Sequence, residues 1–145
     1  MGRDRNVAAN WGRGGDLKAR TKGYALRVIA LVDVLPRTRS AEVIGRQLLR
    51  CATSVGANYR AARRGRSDAD FVAKLKIVEE EADECLYWLE LLIESGMVQA
   101  EQVADVQAEG NAILAITVAS IKTMRERQKR HTHAATTQRS NRDDD

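Results

Sequence analysis

A chain of 145 residues fits one domain and is long enough to bury a core without disulfide or metal staples. Hydrophobic residues make up 43%, aromatics only 4%, and Pro36 is the single proline, which argues against a sheet and places the chain in the all-α class. The formal net charge is +4, but it is uneven: +5 over residues 40 to 66 and −7 over residues 67 to 95, a pattern that suits mutual pairing across a helical hairpin.

Residues 1 to 15 are rich in Gly, Arg and Asn without apolar period, and read as a disordered N-terminal arm with Trp11 as its one anchor. The arm has no apolar core of signal-peptide type, and Asn6 stands where a myristoylation signal prefers Ser or Thr. A bundle is expected over 16 to 128. In its first helix Leu17, Thr21, Tyr24, Val28, Leu31 and Leu35 alternate steps of four and three until Pro36 ends the run. Ser40 is the expected N-cap of the second helix, whose stripe of Ile44, Leu48, Cys51, Val55, Asn58 and Ala62 stops at Gly65.

Ser67 caps the third helix, with Asp70 placed to reach back. Phe71, Leu75, Val78, Ala82, Cys85, Leu89 and Leu92 carry that helix to Gly96. The fourth, from about 99 to 128, shows Val103, Val106, Gly110, Ile113, Thr117 and Met124. Residues 129 to 145 are polar and aperiodic, and read as a disordered C-terminal tail. Four such helices joined by short loops predict an up-down-up-down four-helix bundle. The longest uncharged apolar run, GNAILAITVASI at 110 to 121, is too short to span a bilayer, and two cysteines fit a reducing compartment, so a cytoplasmic protein without membrane association is expected.

The stretch IGRQLLRCATSVGANYRAARRGRSDADFVAKLKIVEEEADECLYWLELL, residues 44 to 92, resembles the bacterial four-helix bundle protein family, also called the rRNA intervening-sequence protein family because some members are encoded within insertions of large-subunit ribosomal RNA genes. TSVGAN, the following DF and EEADE…WLELL carry the likeness. The resemblance extends to accessory proteins of diversity-generating retroelements, which form homopentamers with basic surfaces and bind nucleic acid and a reverse transcriptase. It therefore implies a homo-oligomer, by analogy a pentamer, and a reverse transcriptase as a candidate partner. Tyr59, Arg60 and Ala61 depart from the IAEG found in many members.

Four groups of residues invite a functional reading. In CLYWLELLI only Glu90 is charged, so Tyr87, Trp88 and Leu91 form a second apolar face, covered by the first helix, by the N-terminal arm or by another subunit; the last makes them an oligomer interface. Glu80 and Glu84 lie four apart, as in di-iron bundles, yet such sites need Glu-x-x-His pairs and the only histidines, His131 and His133, sit in the tail. No metal or other cofactor is expected. The glutamates are instead expected to meet Arg50, with Asn58, in a partly buried polar network across the hairpin. Gly56 and Ala57 suggest close approach of a neighbouring helix, in the same subunit or the next.

Neither cysteine nor Ser54 has a base nearby in sequence, so no enzyme is expected. The fourth group is basic: Arg60, Arg63, Arg64 and Arg66 at the hairpin turn, Lys18, Arg20 and Lys22 near the first helix start, and KTMRERQKR in the fourth helix. In an up-down bundle these converge at one pole. Cations at helix C-termini are favourable in themselves, but convergence points to sequence-independent binding of RNA or DNA phosphates. The reading is a non-catalytic, oligomeric nucleic-acid-binding bundle; the alternative is a structural adaptor for an acidic partner protein.

Overall fold

The stripes become four helices in the computed structural model, which describes residues 14 to 143, with side chains from 17 to 142. α1 spans Gly14–Asp33, α2 Arg39–Arg63, α3 Asp68–Glu94 and α4 Ala100–Asp143. Trp11 and most of the N-terminal arm lie outside the described residues. Each helix packs on its neighbours in sequence and α1 also packs on α4, which closes an up-down-up-down bundle.

Burial follows the apolar spacing. Leu48, Leu75, Leu89, Leu92 and Ile113 are completely enclosed, each worth about 1.5 to 3 kcal/mol against exposure. Asn58, Leu35, Phe71 and Met124 are half-buried at the edges of their stripes. Thr21 and Thr117 are buried without cost in lost hydrogen bonds, because Thr21 Oγ1 donates to the Lys18 carbonyl at 3.2 Å and Thr117 Oγ1 to that of Ile113 at 2.7 Å. Tyr59, where the sequence departs from many relatives, proves to be a core residue at 3% exposure.

The helix ends show where local chemistry decides. Thr38, rather than Ser40, caps α2: its Oγ1 accepts from the Ala41 amide at 3.2 Å, which leaves Ser40 inside the first turn. Ser67 caps α3 as expected, accepting from the Asp70 amide at 3.1 Å, while Asp70 Oδ2 accepts from the Arg66 amide at 3.2 Å, one residue before the cap. At the far end Gly96 takes φ +77°. Its own amide bonds the Ile93 carbonyl at 3.0 Å and the Met97 amide bonds that of Leu92 at 3.1 Å, a Schellman closure for which glycine carries no Cβ penalty.

α4 is 44 residues long and runs to Asp143, beyond the boundary near 128 drawn from the apolar period. No glycine or proline follows Gly110 to stop it. Thr132 and Thr136 each return a hydroxyl bond of 3.0 Å to the carbonyl four residues back. Residues 129 to 142 are exposed throughout, so no packing supports this last stretch.

Two glycines bring helices together to different degrees. A methyl group at Gly56 would meet the backbone and hydroxyl of Thr21 at 3.5 Å, ordinary contact, so the helix approaching there is α1 of the same chain. A methyl at Gly110 would meet Tyr24 Oη and Leu86 Cδ1's twin, Cδ2, at 3.1 Å, closer than it can sit unmoved. Gly56→Ala should therefore stabilise by roughly 0.5 to 1 kcal/mol through helix propensity. Gly110→Ala should destabilise by about 1 to 3 kcal/mol through overpacking. Urea unfolding midpoints of opposite sign would show this; equal shifts would contradict it.

Candidate nucleic-acid interface

α1 begins, and the α2–α3 turn lies, at one end of the bundle, and α4 runs out past that end. Arg60, Arg63, Arg64, Arg66, Lys18 and Lys22 are all exposed there. Arg60 and Arg63 occupy the last turn of α2, where unpaired carbonyls favour cations. The Arg63 guanidinium also reaches Tyr59 Oη at 3.5 Å, over the edge of the core. Asp68 and Asp70 stand in the first turn of α3, complementing its N-terminal amides.

Arg20 departs from this set. It is 7% exposed and its guanidinium pairs with Glu109 of α4, Nε donating to Oε1 at 3.0 Å and Nη2 to the same oxygen. The expected surface cation is thus a structural one. Its place three residues after Leu17 and four before Tyr24, on the flank of the apolar stripe, is the sequence signal that separates it from Lys18 and Lys22.

The hairpin network forms, with different members. Arg50 meets Glu84 through Nη2 and Glu81 through Nη1 at 3.3 Å, and its Nε donates to Gln47 Oε1 at 3.1 Å. Glu80 is exposed and takes no part: Glu81 and Glu84, three apart, share the face toward α2, and Glu80 is turned a further 100° from Glu81. Asn58 does not join either; its amide donates within α2 to the Ser54 carbonyl at 2.9 Å and to Ser54 Oγ at 2.8 Å. With the Arg50 side chain 49% exposed, the network is solvated rather than partly buried. The bond from Arg50 holds the Glu84 carboxyl below its ordinary range, and Trp88 Nε1, donating to Glu84 Oε1 at 3.2 Å, adds to this against a smaller opposing effect of burial.

Cys51 and Cys85 face each other in the core, Sγ to Sγ at 3.0 Å, both as free thiols. The contact with Cys51 and burial push the Cys85 thiol up, and burial does the same to the Tyr24 hydroxyl beside it, so these groups stay neutral. Among the described residues no group of three or more His, Cys, Asp or Glu is placed to hold a metal ion, and no helix is long and apolar enough to cross a membrane.

The second apolar face is present on α3: Tyr87 is 52% exposed, Trp88 and Leu91 are half-buried, and the two rings lie 5.1 Å apart. α1 packs chiefly on α2 and α4. α1 carries an exposed apolar set of its own, Leu26, Ile29 and, just beyond its end, Val34. Their three- and five-residue spacing was readable, but the stronger inward stripe of the same helix masks it.

A bundle of long antiparallel helices with one basic end defines the class of protein. Residues 16–119 match the 23S rRNA-intervening sequence protein family, and the chain belongs to that family. It is also similar to the crystal structure of a protein of unknown function from the S23 ribosomal protein family of Bacteroides thetaiotaomicron, with 36% identity, a TM-score of 0.69, and coverage of 73% of this chain and 98% of the other. No curated protein matches it.

With its side chain 4% exposed and that of Glu109 13% exposed, the Arg20 pair should respond to truncation as a buried pair. Arg20→Ala is expected to cost about 3 to 5 kcal/mol by leaving a buried carboxylate, and Arg20→Met with Glu109→Leu to recover most of it. Denaturant unfolding measures both. Should Arg20→Ala cost no more than Arg50→Ala, the pair is solvated.

Proposed function

We propose that this protein is a non-catalytic, oligomeric bundle that binds the phosphates of RNA or DNA through its basic end. The observation that carries the reading is the gathering of Arg60, Arg63, Arg64, Arg66, Lys18 and Lys22, all exposed, beside the basic outgoing part of α4. Of the acids of α3, Asp68 and Asp70 stand at this end, in the first turn of the helix, while Glu81 and Glu84 are engaged with Arg50 along the hairpin. Phosphate contact of this kind is independent of sequence and weakens as salt rises, because it is driven by release of condensed counterions. Among the described residues the aromatics next to these arginines, Tyr59 and Phe71, are buried and half-buried, which leaves no fully exposed ring beside the cations to stack bases.

Fluorescence anisotropy with RNA and DNA probes tests this directly. Binding should be detectable at low salt and fall steeply toward physiological salt. Converting Arg60, Arg63, Arg64 and Arg66 together to Ala should lower the slope of log K against log salt by up to about four units, with circular dichroism unchanged. Absence of binding to either polymer at low salt would favour the other reading, an adaptor for an acidic protein.

The proposed assembly uses two different apolar patches, exposed Tyr87 with half-buried Trp88 and Leu91 on α3, and exposed Leu26 and Ile29 on α1. Dissimilar patches favour head-to-tail contacts, which form a ring where the rotation between subunits closes, over a two-fold dimer. The pentamer suggested by resemblance is such a ring. Light scattering should give an oligomer, and Tyr87→Glu with Leu26→Glu should shift it to monomer; a monomeric wild type would defeat the proposal.

A further inference from the structure

We propose that the projecting end of α4, residues 122 to 142, is a docking arm for double-stranded DNA that lies in the major groove. This rests on the nucleic-acid reading above and names the form of polymer and the element that selects it. The last fully buried residue of α4 is Ile121, Met124 and Gln128 are half-buried, and everything from 129 to 142 is exposed. At about 1.5 Å per residue the free part extends roughly 20 Å past the bundle, less than one turn of duplex. It also lies beyond residue 119, where the family match ends.

The chemistry of the arm is one-sided in sign and many-sided in direction. Residues 122 to 142 hold seven Lys and Arg against Glu126 alone, and none of the seven forms an ion pair among the described residues. Lys122, Arg125, Lys129 and His133 follow helical steps along the face turned from the core, while Arg127, Arg130, Arg139 and Arg142 project in other directions. A flat anionic surface would call on one face only. Cations around the whole circumference suit a helix enclosed between two walls of phosphate.

Three alternatives fit worse. After Met124 the arm contains no Leu, Ile, Val, Phe, Tyr or Trp, so it has no apolar face for a membrane surface or a partner helix. The same lack of aromatics removes the stacking platform that single strands require. Duplex RNA has a major groove too deep and narrow for a helix, whereas that of B-form DNA, about 12 Å wide, admits a helix of about 10 to 12 Å with its side chains. The polar residues Thr132, Gln138 and Asn141 can face base edges without fixing a sequence.

A helix held only by its own bonds is marginal in water, and close cations repel one another along it. Phosphates on both sides remove that repulsion, so docking should raise helicity.

The test uses the full-length protein and probes of about 20 base pairs, two turns of duplex. Anisotropy should show tighter binding to duplex DNA than to duplex RNA or single-stranded DNA, by roughly tenfold or more, with a gain in helical circular dichroism on adding the duplex. Changing Lys129, Arg130, Arg139 and Arg142 to Ala should abolish that preference and lower the salt slope by up to about four units, while the Arg60, Arg63, Arg64 and Arg66 variant weakens all probes but keeps it. Thr136→Pro keeps every charge and breaks the helix; it too should remove the preference, with the thermal midpoint of the bundle unchanged. Equal affinity for all probes, or a preference that survives Thr136→Pro, would overturn the arm while leaving phosphate binding in place. No binding to any nucleic acid, with or without binding to an acidic polypeptide, would overturn both.

Discussion

Tyr24 stands against Gly110 at the centre of the bundle, and the seating of α1 on α4 depends on that approach. One turn earlier Arg20 reaches Glu109, the residue next to Gly110, so a steric and an ionic contact fix the same level of the same seam. On its other side the Tyr24 hydroxyl neighbours the Cys51 and Cys85 thiols, which join α2 to α3. A single layer thus ties all four helices. It also bears on the basic end, since seating α1, with Thr21 against Gly56, sets Lys18 and Lys22 alongside the last turns of α2.

Charge is distributed according to how far each group can escape water. Arg20 is enclosed and needs its carboxylate, whereas Arg50 remains in solvent and contributes register more than energy. Asp68 and Asp70 are placed on helix-end amides, and Glu81 and Glu84 on Arg50. The arginines of the α2–α3 turn, Arg60, Arg63, Arg64 and Arg66, are exposed, and Arg63 reaches Tyr59. An acidic helix beside a basic one therefore does not cancel it, because pairing runs along the middle of the hairpin and the excess cations are at its tip.

The four helices and most of their inward residues were legible because a period near 3.6 is imposed by burial itself, as the stripe from Leu75 to Leu92 shows. What escaped the sequence turns on distances below one helical turn. Thr38 and Ser40 are both acceptable caps, and only the geometry of the Ala41 amide chooses between them. Glu80 and Glu81 differ by one residue and hence by 100° of direction. Arg20 reads as one of three nearby cations until a partner 89 residues away encloses it. Tyr59 and Ile121 fill core positions that flank the strict stripe. The length of α4 was hidden for a different reason: beyond Gln128 no face is buried, so the apolar period on which recognition depends ceases while the helix does not.

The seam between α1 and α4 also governs how the chain reaches this structure. α2 and α3 meet across a turn of a few residues and α3 meets α4 across another, so their contacts close early at small entropic cost. Arg20 and Glu109 are separated by 89 residues, the longest span of any bond described. Most of the fold is therefore of low contact order, and the contact of the first helix with the fourth is its non-local seam. A swing of α1 away from the bundle would uncover the two thiols without unwinding the central hairpin.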